Sequence, residues 1–107
     1  MIKIVIGTTP AIRYTFKIVD PADFAEAILT IKDSRKQEKL RKTLDEATVG
    51  TDYIEWILTQ EETLNLGTGS ALSMMLNWLT HGGTRGASAE EAVVAVNNHI
   101  REVMSDE

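Results

Sequence analysis

Few residues in this chain have the types and spacing that chemistry requires. Histidine occurs only at His81 and His99, and neither is accompanied by a second histidine at the spacing of a zinc site. Ser70, Ser73 and Ser88 lack the elbow motif that exposes the nucleophile of serine hydrolases. Cysteine is absent, which excludes a thiolate nucleophile, a disulfide and a cysteine-based zinc site. We therefore expect no catalytic residue and no metal ligand.

Three further patterns are incomplete versions of known sites. Glu61 and Glu62 are adjacent, but a glycosidase pair needs a cleft and a defined separation, so we expect a solvated polar turn. The opening strand ending at Gly7 is similar to the first strand of a nucleotide-binding protein, yet the spaced glycines and the following helix are missing. Gly67-Thr68-Gly69 is followed by no phosphate-loop pattern. No cofactor is expected.

Composition narrows the function classes. The 107 residues predict one domain, and the net charge of −5 disfavours nucleic-acid binding because phosphate backbones attract positive surfaces. The apolar runs are far shorter than the about 20 residues needed to cross a bilayer, so we expect no membrane insertion. Met1 leads directly into a strand pattern, and we expect no signal peptide.

One basic cluster interrupts the acidic background. We expect it to be a solvated loop and edge strand, since lysine on an edge blocks pairing with other chains. An acidic partner surface is the alternative. The cluster comprises Lys32, Arg35, Lys36, Lys39, Arg41 and Lys42.

Apolar residues recur at every second position in several segments, which is typical of strands with one buried face. Glycine and proline punctuate the connections, as in the turn at His81-Gly82-Gly83. The alternation predicts strands over residues 2–6, 11–19, 25–32, 53–59 and 71–79, with a hairpin partner over 84–88.

Two segments allow both a strand and a helix. Residues 39–44 favour a short strand, while a helix over 35–47 is the alternative because its residues are good helix formers. Residues 92–97 favour a strand, followed by a polar or helical tail over 98–107. A helix over 89–104 remains open, since Ser88 and Glu91 form a passable capping box.

The apolar faces of the strands define the expected core. Trp56 and Trp78 are each in register with apolar neighbours, so we expect both to be buried; the alternative is an exposed sugar-binding platform. The predicted core is Ile4, Ile12, Tyr14, Phe16, Leu29, Ile31, Ile54, Trp56, Leu58, Leu66, Leu72, Met74, Leu76 and Trp78.

Strand and turn motifs carry a resemblance that spans most of the chain. They are Ile6-Gly7-Thr8-Thr9-Pro10, Ala27-Ile28-Leu29-Thr30-Ile31-Lys32, Leu58-Thr59-Gln60-Glu61-Glu62-Thr63-Leu64, Met74-Met75-Leu76-Asn77-Trp78 and Gly83-Thr84-Arg85-Gly86-Ala87-Ser88. Together they resemble a group of small, mostly uncharacterised proteins encoded in prophages of Gram-positive bacteria. That group is similar to the immunoglobulin-like N-terminal domain of phage upper-baseplate proteins.

The resemblance implies a fold and a class of function. The fold is an all-β, immunoglobulin-like antiparallel sandwich of seven or eight strands, forming one domain over 1–107 with a short helix allowed at its C-terminal end. The function is a non-enzymatic structural or interaction module of a prophage tail or baseplate, made in the bacterial cytoplasm and associated with the virion. Its partners are phage structural proteins or further copies of itself. A carbohydrate- or host-surface-binding module is the alternative.

Met75 departs from the pattern of that group, which has a polar residue at this position. Because Met75 falls on an outward position of its strand, we expect it to lie on a covered face and to contact a protein partner or a second copy. Methionine suits adaptable contacts of this kind. A lone exposed methionine is the alternative.

Overall fold

The strands form two sheets, and the core lies between them because every second residue of most strands is buried. The computed structural model describes residues 2–68, 71–100 and 102–104. Within these residues a large sheet has the order β1-β9-β7-β3-β4, with β8 also paired to β7, and a small sheet has the order β2-β6-β5. The strands are β1 (Ile2–Val5), β2 (Ala11–Thr15), β3 (Phe24–Lys32), β4 (Glu38–Thr43), β5 (Thr48–Val49), β6 (Tyr53–Ile57), β7 (Leu72–Thr80), β8 (Arg85–Ala87) and β9 (Glu91–Val96).

The strand order is that of an immunoglobulin-type sandwich. In that fold strands B, E and D belong to one sheet and C, F and G to the other, with C′ joining the second sheet in variable-type domains. Here β2, β6 and β5 take the first set of positions, and β3, β4, β7 and β9 take the second. The all-β sandwich is therefore confirmed.

Two details of the sandwich differ from the prediction. The described residues form nine strands rather than seven or eight, because β5 is a strand of two residues that the alternation does not predict. One pairing is parallel rather than antiparallel: β1 lies beside β9, with Ile2 opposite Val93 and Val5 opposite Val96. Parallel pairing joins the two ends of the chain, and local sequence patterns carry no signal for it.

Both ambiguous segments are strands. β4 occupies Glu38–Thr43 and is followed by a 3₁₀ turn at Leu44–Glu46. β9 occupies Glu91–Val96, and residues 97–100 and 102–104 are not helical, so the described part of the tail lacks the helix that was allowed there. Residues 101 and 105–107 of that tail lie outside the described residues.

The segment after β6 is a one-turn helix, α1 (Gln60–Leu64), rather than a plain polar turn. The Thr59 hydroxyl accepts a hydrogen bond from the Glu62 backbone N–H at 3.2 Å, and the Glu62 carboxylate accepts one from the Thr59 N–H at 2.8 Å. This capping box satisfies two donors that a helix N-terminus leaves free. Its signature, Thr59-x-x-Glu62, is visible in the sequence and is the signal from which this helix could have been predicted.

Most of the expected core residues are buried. Tyr14, Phe16 and Trp78 are the exceptions, being half-buried and packed against the edge of the core. Trp78 belongs to an aromatic cluster, with its ring centroid 5.3 Å from that of Phe16 and 5.7 Å from that of Phe24. Further apolar residues are buried although the predicted core omits them; they are Ile6, Phe24, Ala27, Leu40 and Val93.

Candidate functional site: the outer face of the large sheet

The residues with potential for chemistry are dispersed. His81 lies in the turn before β8 and His99 in the tail, and both are exposed. The Ser88 hydroxyl accepts a hydrogen bond from the Leu76 backbone N–H and donates one to the Ala89 carbonyl. The described residues hold no group of three histidine, cysteine or acidic side chains that could bind a metal ion. Ser70 and Gly69 lie outside the described residues.

The Tyr14 hydroxyl is a buried polar group without a hydrogen-bond partner among the described residues. Burial raises the pKa of this phenol, so it stays protonated at neutral pH. A protonated phenol is a poor base and a poor nucleophile, so burial disfavours these two roles for Tyr14.

The aromatic side chains do not form a binding platform. Trp56 is fully buried, and its indole N–H donates to the Thr43 carbonyl at 2.8 Å. Trp78 packs edge-on against Phe16 and stacks on Phe24. None of the six aromatic residues is exposed, so the row of exposed aromatics expected of a carbohydrate-binding module does not occur.

The outer face of the large sheet is the strongest candidate for a functional surface. On β3 and β7 the residues that alternate with the core point away from it, and those at the centre of this face are half-buried. They line a shallow depression of about 290 Å³. These central residues are Ile28, Thr30, Ser73, Met75 and Asn77.

Met75 lies in the middle of this outer face, as the sequence predicts for an outward position. It is opposite Thr30 in the pairing of β3 with β7, and the Thr30 hydroxyl donates to the Met75 carbonyl at 3.4 Å. The Met75 side chain and Ile28 line the same depression, together with the polar side chains of Thr30, Ser73 and Asn77. Its role as a contact residue remains a prediction.

Six charged side chains surround the central residues. Glu38 and Arg41 on β4 form an ion pair with each other at 2.9 Å. We call the other four the charge ring. Glu26 and Lys32 lie at the two ends of β3, Arg85 lies on β8, and Glu90 lies in the connection to β9. None of the four takes part in an ion pair within the described part of the chain. Protein interfaces have a core depleted of charged residues and a polar rim, and the arrangement on this face agrees with that anatomy.

The outer face of the small sheet is a weaker candidate because its charges already have partners. Arg13 forms an ion pair with Glu55 at 2.9 Å and lies 3.9 Å from the centroid of the Tyr53 ring. Ile57 is the exposed apolar residue of this face, with 61% of its surface accessible. A single exposed isoleucine is ordinary on a protein surface.

The basic cluster is not uniformly solvated, which corrects one expectation. Lys42 points inward from β4, opposite Leu29, and only 10% of its side chain is accessible. Its ammonium lies 2.8 Å from the Glu62 carboxylate and 3.3 Å from that of Glu46. Alternation explains the burial, because residues 40 and 42 of one strand face the same side. The other members of the cluster are exposed, as predicted.

This buried ion pair changes the titration of both partners. Burial alone would raise the pKa of Glu62, but hydrogen bonds from Lys42 and from the Thr59 backbone outweigh it, and the pKa is lowered from 4.5. Burial alone would lower the pKa of Lys42, but its hydrogen bonds to Glu62 and Glu46 raise it above 10.5. Glu62, expected to be solvated, therefore ties α1 to β4.

Stability should depend on pH through Glu62. A carboxyl whose pKa is lower in the folded state stabilises the fold above its unfolded pKa and loses that contribution as pH falls through its folded pKa. We expect Glu62→Gln to lower the free energy of unfolding by about 1–2 kcal/mol near neutral pH and by much less at about pH 3. Urea titrations across this range measure the effect.

Glu61→Gln is the matched control, since Glu61 lies beside Glu62 on α1 but is exposed and forms no ion pair within the described residues. Its pH profile should follow that of the unmodified protein. Equal pH profiles for Glu62→Gln and the unmodified protein would contradict the role assigned to the ion pair.

No helix in the described part of the chain is both long and apolar enough to span a membrane. No protein-family model, no curated protein and no solved structure matches the chain.

Proposed function

We propose that this chain is a non-enzymatic structural or interaction module of a prophage particle, associated with the tail or baseplate. It acts by docking the outer face of its large sheet onto a protein surface. The observation that carries the proposal is the half-buried centre around Met75, enclosed by four charges that have no partner within the described residues.

The chemistry of the outer face suits protein recognition. Met75 and Ile28 offer apolar area, while Thr30, Ser73 and Asn77 offer hydrogen-bonding groups beside them. Methionine is enriched in protein interfaces because its flexible thioether adapts to the surface it meets. The unpaired charges at the rim steer the encounter and select among partners.

The placement in a phage tail or baseplate is supported by the sequence resemblance of residues 4–104. Its strand and turn motifs imply an immunoglobulin-like sandwich, and the strand order agrees with that implication. In such a particle the sandwich would serve as a rigid support for the docking face.

The experiment that tests docking compares two variants with the same charge change. Met75→Glu places a carboxylate in the centre of the outer face, and Ile57→Glu places one on the small sheet. We expect Met75→Glu to weaken binding to the tail or baseplate proteins of the same prophage by about tenfold or more, the loss typical of a central contact. Ile57→Glu should bind like the unmodified protein.

The readout is capture of proteins from purified phage particles, identified by mass spectrometry and followed by affinity measurement. Absence of this chain from particles, together with no binding to their structural proteins, would overturn the proposal. Equal loss of binding in both variants would contradict the assignment of the outer face of the large sheet as the docking surface.

A further inference from the structure

We infer that the outer face of the large sheet takes a second copy of this chain, so that two sandwiches pair face to face across a two-fold axis. The inference rests on the proposed function for the choice of face, and the second copy competes for that face with the particle proteins. The charge ring carries the argument, because its four charges are arranged in a pattern that complements itself.

One end of the face has its negative charge on β3. Glu26 on β3 pairs with Leu79 on β7, and Leu79 in turn pairs with Arg85 on β8. These three residues form one row across the sheet. The row places a carboxylate on one side of Leu79 and a guanidinium on the other.

The opposite end reverses the order of charges. Lys32 on β3 pairs with Ser73 on β7. Glu90 lies on the other side of β7, lining the same depressions as Lys32 and Ser73. Here β3 supplies the positive charge, and the side of β7 that held Arg85 at the first end now holds the negative charge of Glu90.

The register of β3 with β7 defines where a two-fold axis can lie. Positions 26 and 32 are equally distant from Leu29, and Leu29 is paired with Leu76 on β7. A two-fold axis that lies in the plane of the face, crosses the strands and passes over this leucine pair exchanges the two ends. It places Lys32 of each copy over Glu26 of the other and brings Arg85 towards the end that carries Glu90 in the other copy.

The same two-fold axis also brings the centres of the two faces together. Thr30 of one copy faces Ile28 of the other, and Met75 faces Asn77, because these positions are symmetric about the same level of β3 and β7. The thioether and the isoleucine are then removed from water together.

Sedimentation of the purified full chain at low salt tests the inference. We expect a concentration-dependent monomer–dimer equilibrium that weakens as salt is added, since exposed charge pairs are screened. Lys32→Glu should weaken the dimer by about tenfold or more, because both symmetric pairs become repulsive. Lys17→Glu, the same charge change at an exposed site after β2, should leave the dimer unchanged.

The double variant Lys32→Glu with Glu26→Lys distinguishes between two orientations of the two-fold axis. An axis across the strands restores attraction between positions 32 and 26, so the dimer should return. An axis along the strands would instead set position 32 against Glu90 and leave the double variant monomeric, which would overturn the pairing.

A monomer at every concentration would overturn the inference, and so would equal weakening by Lys32→Glu and Lys17→Glu. These results are separable from the proposed function. A monomeric protein that still binds particle proteins through Met75 refutes only the second copy, whereas a dimer without particle binding refutes only the phage role.

Discussion

The Trp56→Ala variant should lose about 3–5 kcal/mol of unfolding free energy, the range for truncating a large core side chain. Trp56 has no accessible surface and packs between the sheets. Its indole N–H also donates to the Thr43 carbonyl where β4 ends, so truncation leaves a cavity and an unpaired carbonyl. Small domains have total stabilities of about 5–15 kcal/mol, and this loss is a large part of that.

Denaturant titration followed by far-UV circular dichroism measures the change without relying on tryptophan emission. Ile57→Ala is the matched control, because Ile57 neighbours Trp56 on β6 but is exposed; its midpoint should stay close to that of the unmodified protein. Trp56→Phe keeps most of the volume and loses the hydrogen bond, so it should fall between the two. An unchanged midpoint for Trp56→Ala would contradict the assignment of Trp56 to the inner side of β6.

The part of the fold that depends on alternation could be predicted from the sequence. On β3 and β7 the apolar residues at every second position are buried, and those between them form the outer face. Period-two patterning fixes the direction of each side chain once one face is buried. For the same reason the outward position of Met75 was predictable.

The pairings between distant segments could not be predicted. The parallel contact of β1 with β9 joins the two ends of the chain, and the burial of Val93 follows from it. Phe24 is buried because it stacks on Trp78, and the partner that neutralises Lys42 on the inner side of β4, Glu62, comes from α1. Each of these depends on a neighbour supplied by another element, which local patterns do not contain.

The candidate site also has one part that could be predicted from the sequence and one part that could not. The sequence identifies Met75 as an apolar residue on an outward position, but the charge ring needs the register of three strands. Only that register shows that Glu26 and Arg85 flank Leu79 at one end of the face, while at the other end Lys32 is paired with Ser73 and Glu90 lines the same depression. A charge pattern across strands is invisible in a linear sequence.

The second large effect is expected at Thr63, a fully buried polar residue of α1. Its hydroxyl accepts a hydrogen bond from the Gly7 N–H and donates one to the Thr8 carbonyl, both at 2.9 Å. Gly7 has a φ of 80°, a conformation that glycine adopts without strain. One side chain thus fixes the turn between β1 and β2 against α1.

Thr63→Val keeps the shape of the side chain and removes only the hydroxyl. The N–H of the half-buried Gly7 loses its partner, and a buried group without a partner costs about 1–3 kcal/mol, so we expect a loss in that range. Thr63→Ser retains the hydroxyl and should lose only the contribution of one buried methyl group, about 1 kcal/mol. Unfolding free energies from urea titration rank the two variants, and hydrogen exchange at Gly7 should accelerate in Thr63→Val alone. If the serine variant were the less stable of the two, packing rather than hydrogen bonding would hold this turn, because serine preserves the hydroxyl and valine the volume.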